Sequence, residues 1–253
     1  MERNAYAFGV DARFTDCRYD LADPPAARAR YLEGHIPGAA FLDLDTELSD
    51  LSIPPEVGGR HPLPTAERFA VAAGRAGIGP DTLVAAYDES MDGGAARLWW
   101  LLRHFGHEQA GVLDGGVRSW LGPLAKGEET IEPAVFVPRE RSDDLITTDE
   151  ILERLSDPRL VLVDARPGDR YRGEALGLDP VAGHIPGAIN LPLKLGASVP
   201  AELLEAEEIV CYCGSGVAAC VTVLALEQAG RPDARLYPGS WSEWSRKGLP
   251  AER

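Results

Sequence analysis

The sequence has few cysteines, little positive charge and no long apolar run. Its 253 residues include 4 cysteines, and no two of them form a Cys-x-x-Cys pair, so we expect no zinc site and no other metal. No segment approaches the roughly 18 apolar residues of a membrane-spanning helix. The N-terminal residues lack the apolar centre of a signal peptide. We therefore expect a cytoplasmic protein whose thiols stay reduced.

Acidic residues outnumber basic ones, 40 against 25, which gives a net charge of −15. A field of this sign repels nucleic acids and anionic membranes, so neither is expected as a partner. A small anionic substrate would need a local cluster of positive charge to overcome the same field.

A repeat organises the chain. The hexapeptide Gly-His-Ile-Pro-Gly-Ala occurs at Gly34–Ala39 and again at Gly183–Ala188. Each copy is preceded by an Asp-Ala-Arg triplet and followed by a Gly-x-x-x-x-Trp ending, at Asp11–Arg13 and Asp164–Arg166 and at Gly115–Trp120 and Gly239–Trp244. Landmarks that recur in one order indicate a duplicated fold of roughly 120 residues. Because both copies carry the histidine, His35 and His184 are expected to brace the fold, as are the triplet's Asp and Arg.

Short apolar runs alternate with helical patterns. The runs Val84–Tyr87, Leu160–Val163 and Ile209–Tyr212 are typical of strands buried on both faces. Helical patterns cover Thr65–Ala76, Ala95–Phe105 and Val217–Ala229, and a capping box precedes a fourth at Thr147–Glu150. This alternation predicts an α/β fold in which each copy has a mainly parallel sheet flanked by helices.

A charged, proline-containing stretch breaks the pattern near the middle of the chain. It predicts a first domain at residues 1–124, a linker at 125–142 and a second domain at 143–253. From Gly34 to Val84 the first copy spans 50 residues, whereas the second spans 27 from Gly183 to Val210. The first copy therefore carries an insertion near Asp45–Pro64, which could fold over a site in the other copy.

Cys213 stands where the two copies differ. It follows a predicted strand, precedes a predicted helix and is followed by the flexible residues Gly214 and Gly216. Amides of such a turn, together with the helix dipole, favour an anion and hence a nucleophilic thiolate. The alternative is a buried structural thiol, which is common for free cysteine. The strand–loop–helix setting favours the nucleophile.

With these residues in place, the chain resembles the tandem-domain sulfurtransferases of the rhodanese superfamily, of the mercaptopyruvate or thiosulfate type. The resemblance rests on the two hexapeptides, on Cys213–Val217 and on Gly239–Trp244. It implies a catalytic second domain and an inactive first domain, with Asp88 at the lost cysteine position. It also implies that Cys213 takes sulfur from a small anionic donor, holds it as a persulfide and passes it to a thiol, cyanide or protein acceptor. No organic cofactor is implied.

The resemblance also implies roles for other residues. Ser215 would assist proton transfer, and Asp43 and His61 would form an Asp–His pair linked to a hydroxyl group. Arg170 would bind the anionic end of the donor. Further predicted donor-binding residues are Arg172, Gly214, Gly216, Val217 and Trp241.

The donor stays open between 3-mercaptopyruvate and thiosulfate. The Cys-Gly-Ser-Gly loop resembles mercaptopyruvate enzymes, whereas thiosulfate enzymes resemble Cys-Arg-Lys-Gly. The second substrate arginine of the family is missing, since Leu178–Val181 occupy its place, and Ala218 stands where threonine is common.

Two other functions compete with sulfur transfer as explanations of the cysteine loop. A phosphatase of a related cysteine-loop family needs an arginine six residues after the cysteine, and Ala219 stands there instead. A persulfide-relay module, which delivers sulfur to a protein partner without small-molecule turnover, stays a possible alternative to the enzyme.

Overall fold

The computed structural model describes residues 12–192 and 196–253. The chain forms two compact units: the first contains the residues up to Asp50 and Pro64–Arg141, and the second contains Leu51–Leu63 and Ser142–Arg253. The predicted insertion is therefore divided, and its later part belongs to the second unit. Within the described ranges, no helix is both long and apolar enough to cross a membrane.

Strands and helices alternate along the chain as the sequence pattern predicts. The strands are β1 Arg13–Asp16, β2 Ala40–Phe41, β3 Val84–Tyr87, β4 Ala110–Val112, β5 Leu160–Asp164, β6 Ile189–Asn190, β7 Glu208–Tyr212 and β8 Arg235–Leu236. The helices are α1 Pro24–Glu33, α2 Pro55–Gly58, α3 Ala66–Arg75, α4 Gly94–His104, α5 Thr148–Glu153, α6 Gly168–Tyr171, α7 Ala201–Leu204, α8 Ala219–Gln228 and α9 Ser240–Arg246, with a 3-10 helix at Gly116–Ser119.

In the first unit a four-stranded parallel sheet has the order β2-β1-β3-β4. Every residue of β3 is buried, which explains its continuous apolar sequence. Helix α3 begins at Thr65, whose side chain accepts a hydrogen bond from the amide of Arg68. Almost all of the segment predicted as a linker, residues 125–142, belongs to this unit, and within it the Ala134 amide donates to Gly74 O over 2.9 Å.

The second unit repeats the arrangement, with a parallel sheet of order β6-β5-β7-β8. The predicted capping box is present: Thr147 and Glu150 bond each other's backbone amides at the start of α5. Helix α8 is buried over most of its length, as its small apolar residues predict. The two tandem α/β sheets confirm the predicted fold class.

The duplication extends to single hydrogen bonds. In the first unit the Tyr87 hydroxyl accepts from the amide of Ile36 at 3.2 Å, and in the second the Tyr212 hydroxyl accepts from Ile185 at 3.2 Å. Each tyrosine ends a central strand, and each isoleucine belongs to a hexapeptide. One contact therefore ties the repeated motif to the sheet in both units.

The hexapeptide histidines brace the fold. His35 Nδ1 lies 2.8 Å from the carbonyl oxygen of Tyr31, and His184 Nδ1 lies 2.9 Å from that of Tyr171. Each imidazole also stacks on the ring of the same tyrosine. Identical contacts in both units support a structural role for these histidines.

A buried ion pair lies at the end of one central strand in each unit. Arg18 donates to Asp16 and Arg166 donates to Asp164, both over 2.6 Å. Each arginine also donates to the carbonyl of the first glycine of its hexapeptide, at 2.8 and 2.7 Å. The pair thus fixes the strand end to the repeated motif.

This pairing corrects the predicted match between Asp-Ala-Arg triplets. In the sheets, Asp16 is opposite Tyr87 and Asp164 is opposite Tyr212, so the counterpart of Arg166 is Arg18. The predicted counterpart Arg13 instead donates to the carbonyl of Gly38 at 3.0 Å, and Asp11 lies outside the described residues. Strand register, rather than identity of three letters, decides which residues correspond.

Candidate active site

Cys213 lies in a tight loop between β7 and α8, and it is buried, with 3% of its surface exposed. Gly216 in this loop has φ +75°, and a Cβ there would come within 2.5 Å of Pro238 O. Both the backbone conformation and the space therefore require glycine. The Cys213 amide donates to Ser240 Oγ at 3.1 Å, and its carbonyl accepts from Trp241 N at 3.0 Å. These bonds fix the loop against the start of α9.

The corresponding loop of the first unit holds an anion of its own. The Asp88 carboxylate accepts hydrogen bonds from the amides of Met91, Gly93 and Ala95 at 2.6, 3.0 and 3.2 Å. Burial raises the pKa of Asp88, and these amide bonds oppose the rise. A loop of this shape therefore points several backbone N–H groups at a negative group.

Asp88 and Cys213 occupy equivalent positions. The Asp88 carbonyl accepts from Val117 N at 2.9 Å, which is the counterpart of the Cys213–Trp241 bond. In each unit the next helix begins six residues after Asp88 or Cys213. The third residue after each has a positive φ, 72° at Met91 and 75° at Gly216. The loops differ at the residue before the helix, which is left-handed in the first unit and right-handed in the second.

Ser215 and His61 meet in the second unit. His61 Nδ1 lies 2.8 Å from Ser215 Oγ, and each residue is 6% exposed. His61 comes from the Leu51–Leu63 segment, 154 residues earlier in the sequence. A histidine bonded to a hydroxyl can move a proton to or from a neighbouring substrate.

The backbone of the Leu51–Leu63 segment docks directly on α9. Gly59 has φ +76°, and a Cβ there would lie only 2.4 Å from Gly239 O. The next amide, that of Arg60, donates to Ser242 Oγ at 2.9 Å. This close approach sets the positions of the Arg60 and His61 side chains.

Arginines surround one buried carboxylate beside the loop. Arg170, on α6, pairs with Asp179 at 3.1 Å, Arg60 bonds the same carboxylate, and Arg246 lies 3.4 Å from it. Burial lowers the pKa of Arg60, while the Asp179 charge raises it and the charges of Arg170 and Arg246 lower it further. Sequence reasoning missed Asp179 and Arg246 because nothing in their local pattern marks them.

Two predicted donor-binding residues have other contacts. Arg172 pairs with Glu174 at 2.8 Å, and both side chains are more than half exposed. Trp241 lies in the core, 1% exposed; its Nε1 donates to Val181 O at 3.0 Å and its ring lies beneath the Arg166 guanidinium at 4.8 Å. These placements favour a surface ion pair for Arg172 and a packing role for Trp241. Val217 is also buried, at 4% exposure.

Asp43 belongs to the first unit, whereas His61 and Ser215 belong to the second. Asp43 Oδ1 accepts hydrogen bonds from the amides of Asp45 and Thr46 and from the Thr46 hydroxyl, at 2.9 to 3.0 Å. Such an arrangement stabilises a turn. The catalytic role of Asp43 stays a prediction.

The other cysteines are poor nucleophiles. Burial raises the pKa of Cys17 and of Cys211 well above that of an ordinary thiol, so both stay protonated at neutral pH. Cys220 Sγ donates to Gly216 O at 3.3 Å. Among residues 12–192 and 196–253 no group of three His, Cys, Asp or Glu side chains is arranged to hold a metal ion.

A known domain family matches both halves of the chain. Residues 5–122 and residues 147–247 each match the Rhodanese-like domain. The chain belongs to the rhodanese-like family. It is 40% identical to a Pseudomonas aeruginosa protein named "Probable 3-mercaptopyruvate sulfurtransferase", over 92% of this chain and 89% of that protein. It is 36% identical to the Rattus norvegicus thiosulfate sulfurtransferase, over 97% of this chain and 89% of that one.

A solved rhodanese-fold structure also matches both units. The crystal structure of SseA from Escherichia coli, titled as a 3-mercaptopyruvate sulfotransferase, aligns with a TM-score of 0.76 and 32% identity. The alignment covers 92% of this chain and 94% of SseA. Two rhodanese-like domains in tandem are therefore the shared architecture.

The hydrogen bond between His61 and Ser215 leads to a prediction about donor chemistry. We expect His61→Ala to lower kcat with 3-mercaptopyruvate about a hundredfold, at the lower end of general acid–base effects. The enolate left by this donor must take up a proton, whereas sulfite released from thiosulfate needs none. Thiosulfate turnover should therefore fall much less. An equal fall with both donors would show that His61 serves only to support the loop.

Proposed function

We propose that this protein is a sulfurtransferase that moves one sulfur atom from a small anionic donor through a Cys213 persulfide to a thiol or cyanide. The observation that supports this most directly is the placement of Cys213 on a loop whose counterpart holds the Asp88 carboxylate with backbone amides. A thiolate or persulfide at Cys213 carries the same charge as that carboxylate. Relatives named for 3-mercaptopyruvate and for thiosulfate sulfur transfer agree with this chemistry.

The reaction has two covalent steps. In the first, the Cys213 thiolate attacks the donor sulfur, an S–S bond forms and the donor's bond to that sulfur breaks. With 3-mercaptopyruvate the electron pair passes to carbon, and the enolate takes a proton to become pyruvate; with thiosulfate the pair leaves on sulfite. In the second step, a thiol or cyanide attacks the outer sulfur and the thiolate of Cys213 is restored. Such double displacement gives ping-pong kinetics.

Each remaining group has a role in the first step. The Ser215 hydroxyl, bonded to His61, supplies the proton that the enolate needs. Arg170 binds the anionic end of the donor, since its guanidinium lies against the loop at Gly214. The loop amides of the Cys213–Ala219 turn, which match those around Asp88, hold the persulfide charge.

We propose 3-mercaptopyruvate as the preferred donor. Ser215 is uncharged, so the loop offers no cation beside the sulfur for a dianion such as thiosulfate. A carboxylate can instead be gripped bidentately by an arginine. The test is kcat/KM for both donors on one preparation, and a value for thiosulfate tenfold above that for 3-mercaptopyruvate would overturn the preference.

The Ser215→Lys variant tests whether loop charge sets the donor. A lysine at this position adds a cation beside the donor sulfur and removes the hydroxyl bonded to His61. We expect the ratio of kcat/KM values to move towards thiosulfate by about tenfold or more, the size of one charge-assisted interaction. Ser215→Ala removes the hydroxyl alone and is the control. If Ser215→Lys and Ser215→Ala show the same ratio of kcat/KM for thiosulfate to kcat/KM for 3-mercaptopyruvate, the charge of the loop does not select the donor.

The acceptor and the compartment belong to the same proposal. Turnover with a small thiol or with cyanide would support an enzyme, whereas persulfide formation without small-molecule turnover would point to delivery to a protein acceptor. None of the four cysteines, all within the described part of the chain, forms a disulfide. Because the mechanism needs a reduced thiol, we propose that the protein acts in the reducing cytoplasm.

A further inference from the structure

A cluster of three arginines and one aspartate lies beside the Cys213 loop. Arg60, Arg170 and Arg246 converge on the carboxylate of Asp179, whose side chain is fully buried. The arginine side chains are only 16 to 24% exposed. Each comes from a different segment of the second unit, and all are brought together by that one carboxylate.

The positive charge of the three arginines exceeds the negative charge of Asp179. Three guanidinium groups share one carboxylate, which leaves two positive charges in excess. The buried Nε atoms of Arg60 and Arg170 have no hydrogen-bond partner anywhere in residues 12–192 and 196–253. Partly buried cations with unused donors are costly unless an anion is present. The cluster is therefore suited to binding an anion from solution.

The excess charge faces the residue that follows the nucleophile. A Cβ added to Gly214 would lie 2.8 Å from Nη2 of Arg60, and 3.6 and 3.8 Å from Nη2 and Nη1 of Arg170. Both guanidinium groups thus lie against the same backbone position, one residue from Cys213. Glycine there leaves the two groups without an intervening side chain.

We infer that Arg60 is a second donor-binding residue, which together with Arg170 grips the carboxylate of an α-keto acid donor. This rests on the proposed sulfur transfer for the identity of the donor. The Leu178–Val181 segment lacks the second arginine that the family resemblance implies, and Arg60 supplies that charge from the Leu51–Leu63 segment instead. Asp179, from the arginine-free segment, is a positioning residue that orients both guanidinium groups.

Arg246 has a different part in the cluster. Its Nη1 lies 3.4 Å from Asp179 and also donates to the carbonyl of Ser242 at 3.0 Å. It therefore joins the cluster to α9, which also carries the Ser242 hydroxyl that holds the Arg60 amide. Helix α9 thus holds Arg60 in two ways: Ser242 accepts a hydrogen bond from the Arg60 amide, and Arg246 contacts the same Asp179 carboxylate as the Arg60 side chain.

The test measures binding of pyruvate, which has the donor's α-keto carboxylate but no sulfur to transfer. Calorimetric titration uses the full chain carrying Cys213→Ser, alone and with Arg60→Gln, Arg60→Lys or Arg170→Gln. We expect Arg60→Gln and Arg170→Gln each to raise the Kd of pyruvate by about tenfold or more, the size of a charge-assisted hydrogen bond. Arg60→Lys should recover part of the loss. Arg159→Gln, which removes an exposed arginine paired with Asp157, should leave the Kd unchanged.

The Asp179→Asn variant tests whether Asp179 orients the arginines or acts only through its negative charge. Removing this negative charge adds to the net positive charge, so simple attraction would tighten pyruvate binding. If Asp179 orients the arginines, binding should weaken instead, and KM for 3-mercaptopyruvate should rise more than kcat falls. Tighter binding in this variant would overturn the positioning role.

The result is independent of whether sulfur transfer is observed. If Arg60→Gln and Arg60→Lys, both made in the Cys213→Ser background, bind pyruvate as tightly as Cys213→Ser alone while the unmodified protein turns over 3-mercaptopyruvate, the inference about Arg60 is wrong and the proposed function stands. If the unmodified protein turns over neither donor but Arg60→Gln still weakens pyruvate binding in the Cys213→Ser background, the anion site stands and the proposed function is wrong.

Discussion

Replacing Cys213 with serine should lower sulfur transfer by at least about three orders of magnitude, since no persulfide can form on a hydroxyl. The side chain changes by a single atom, so the loop and its bonds to Ser240 and Trp241 should persist. The loss should therefore appear in kcat while the melting temperature stays near that of the parent. Turnover with both donors and circular dichroism on the same samples check this.

The remaining cysteines provide the matched controls. Cys17→Ser and Cys220→Ser should keep most of the activity, because Cys17 is a buried thiol with a raised pKa and Cys220 is buried in α8, where its thiol bonds the carbonyl of Gly216. Mass spectrometry after donor treatment should find one added sulfur on the peptide that carries Cys213. Persistent turnover in Cys213→Ser, or sulfur on another cysteine, would contradict the mechanism.

Adding one methyl group at Gly59 should also disable the protein. A Cβ at Gly59 would meet Gly239 O at 2.4 Å and Ser242 Oγ at 2.8 Å, and backbone oxygen at that distance cannot yield without a shift. The segment must then move away from α9, taking Arg60 and His61 with it. Because a displacement of about 1 Å can cost roughly a hundredfold in rate, and two groups move here, we expect Gly59→Ala to lower kcat/KM by about a thousandfold.

Gly187→Ala is the matched control for backbone strain. Gly187 has the same φ of +76° and lies in the same unit, but a Cβ there would meet nothing within 4 Å. Both variants should lose about 1 kcal/mol of stability from the left-handed conformation, and only Gly59→Ala should lose activity. Equal activities in a side-by-side kinetic assay would show that docking of this segment on α9 does not place the catalytic groups.

Local sequence patterns predicted the elements well. The strand Val84–Tyr87 has the bounds expected from its apolar run, and Thr65 caps α3 as its position before a helical pattern predicts. The loop after Ile209–Tyr212 also follows from sequence, since glycines between a buried strand and an apolar helix mark a turn there. These features depend on residues close together in the chain, which is why sequence alone reaches them.

Contacts between distant segments could not be predicted in the same way. The Asp-Ala-Arg match failed because three identical letters do not fix strand register, and the sheet instead aligns Arg18 with Arg166. The cluster around Asp179 joins segments more than a hundred residues apart. The sequence showed that the expected arginine was missing from its segment, but only the fold shows where another guanidinium lies close to the loop.

The Asp88 loop has a consequence for how the duplicated halves have diverged. Its carboxylate is a tethered ligand: it is covalently attached to the site it fills, so it loses almost no translational freedom on binding and has a very high effective concentration. A dissolved anion cannot compete with it at ordinary concentrations. The loop of the first unit is thus permanently occupied by its own side chain, whereas the Cys213 loop of the second unit carries no such tethered carboxylate.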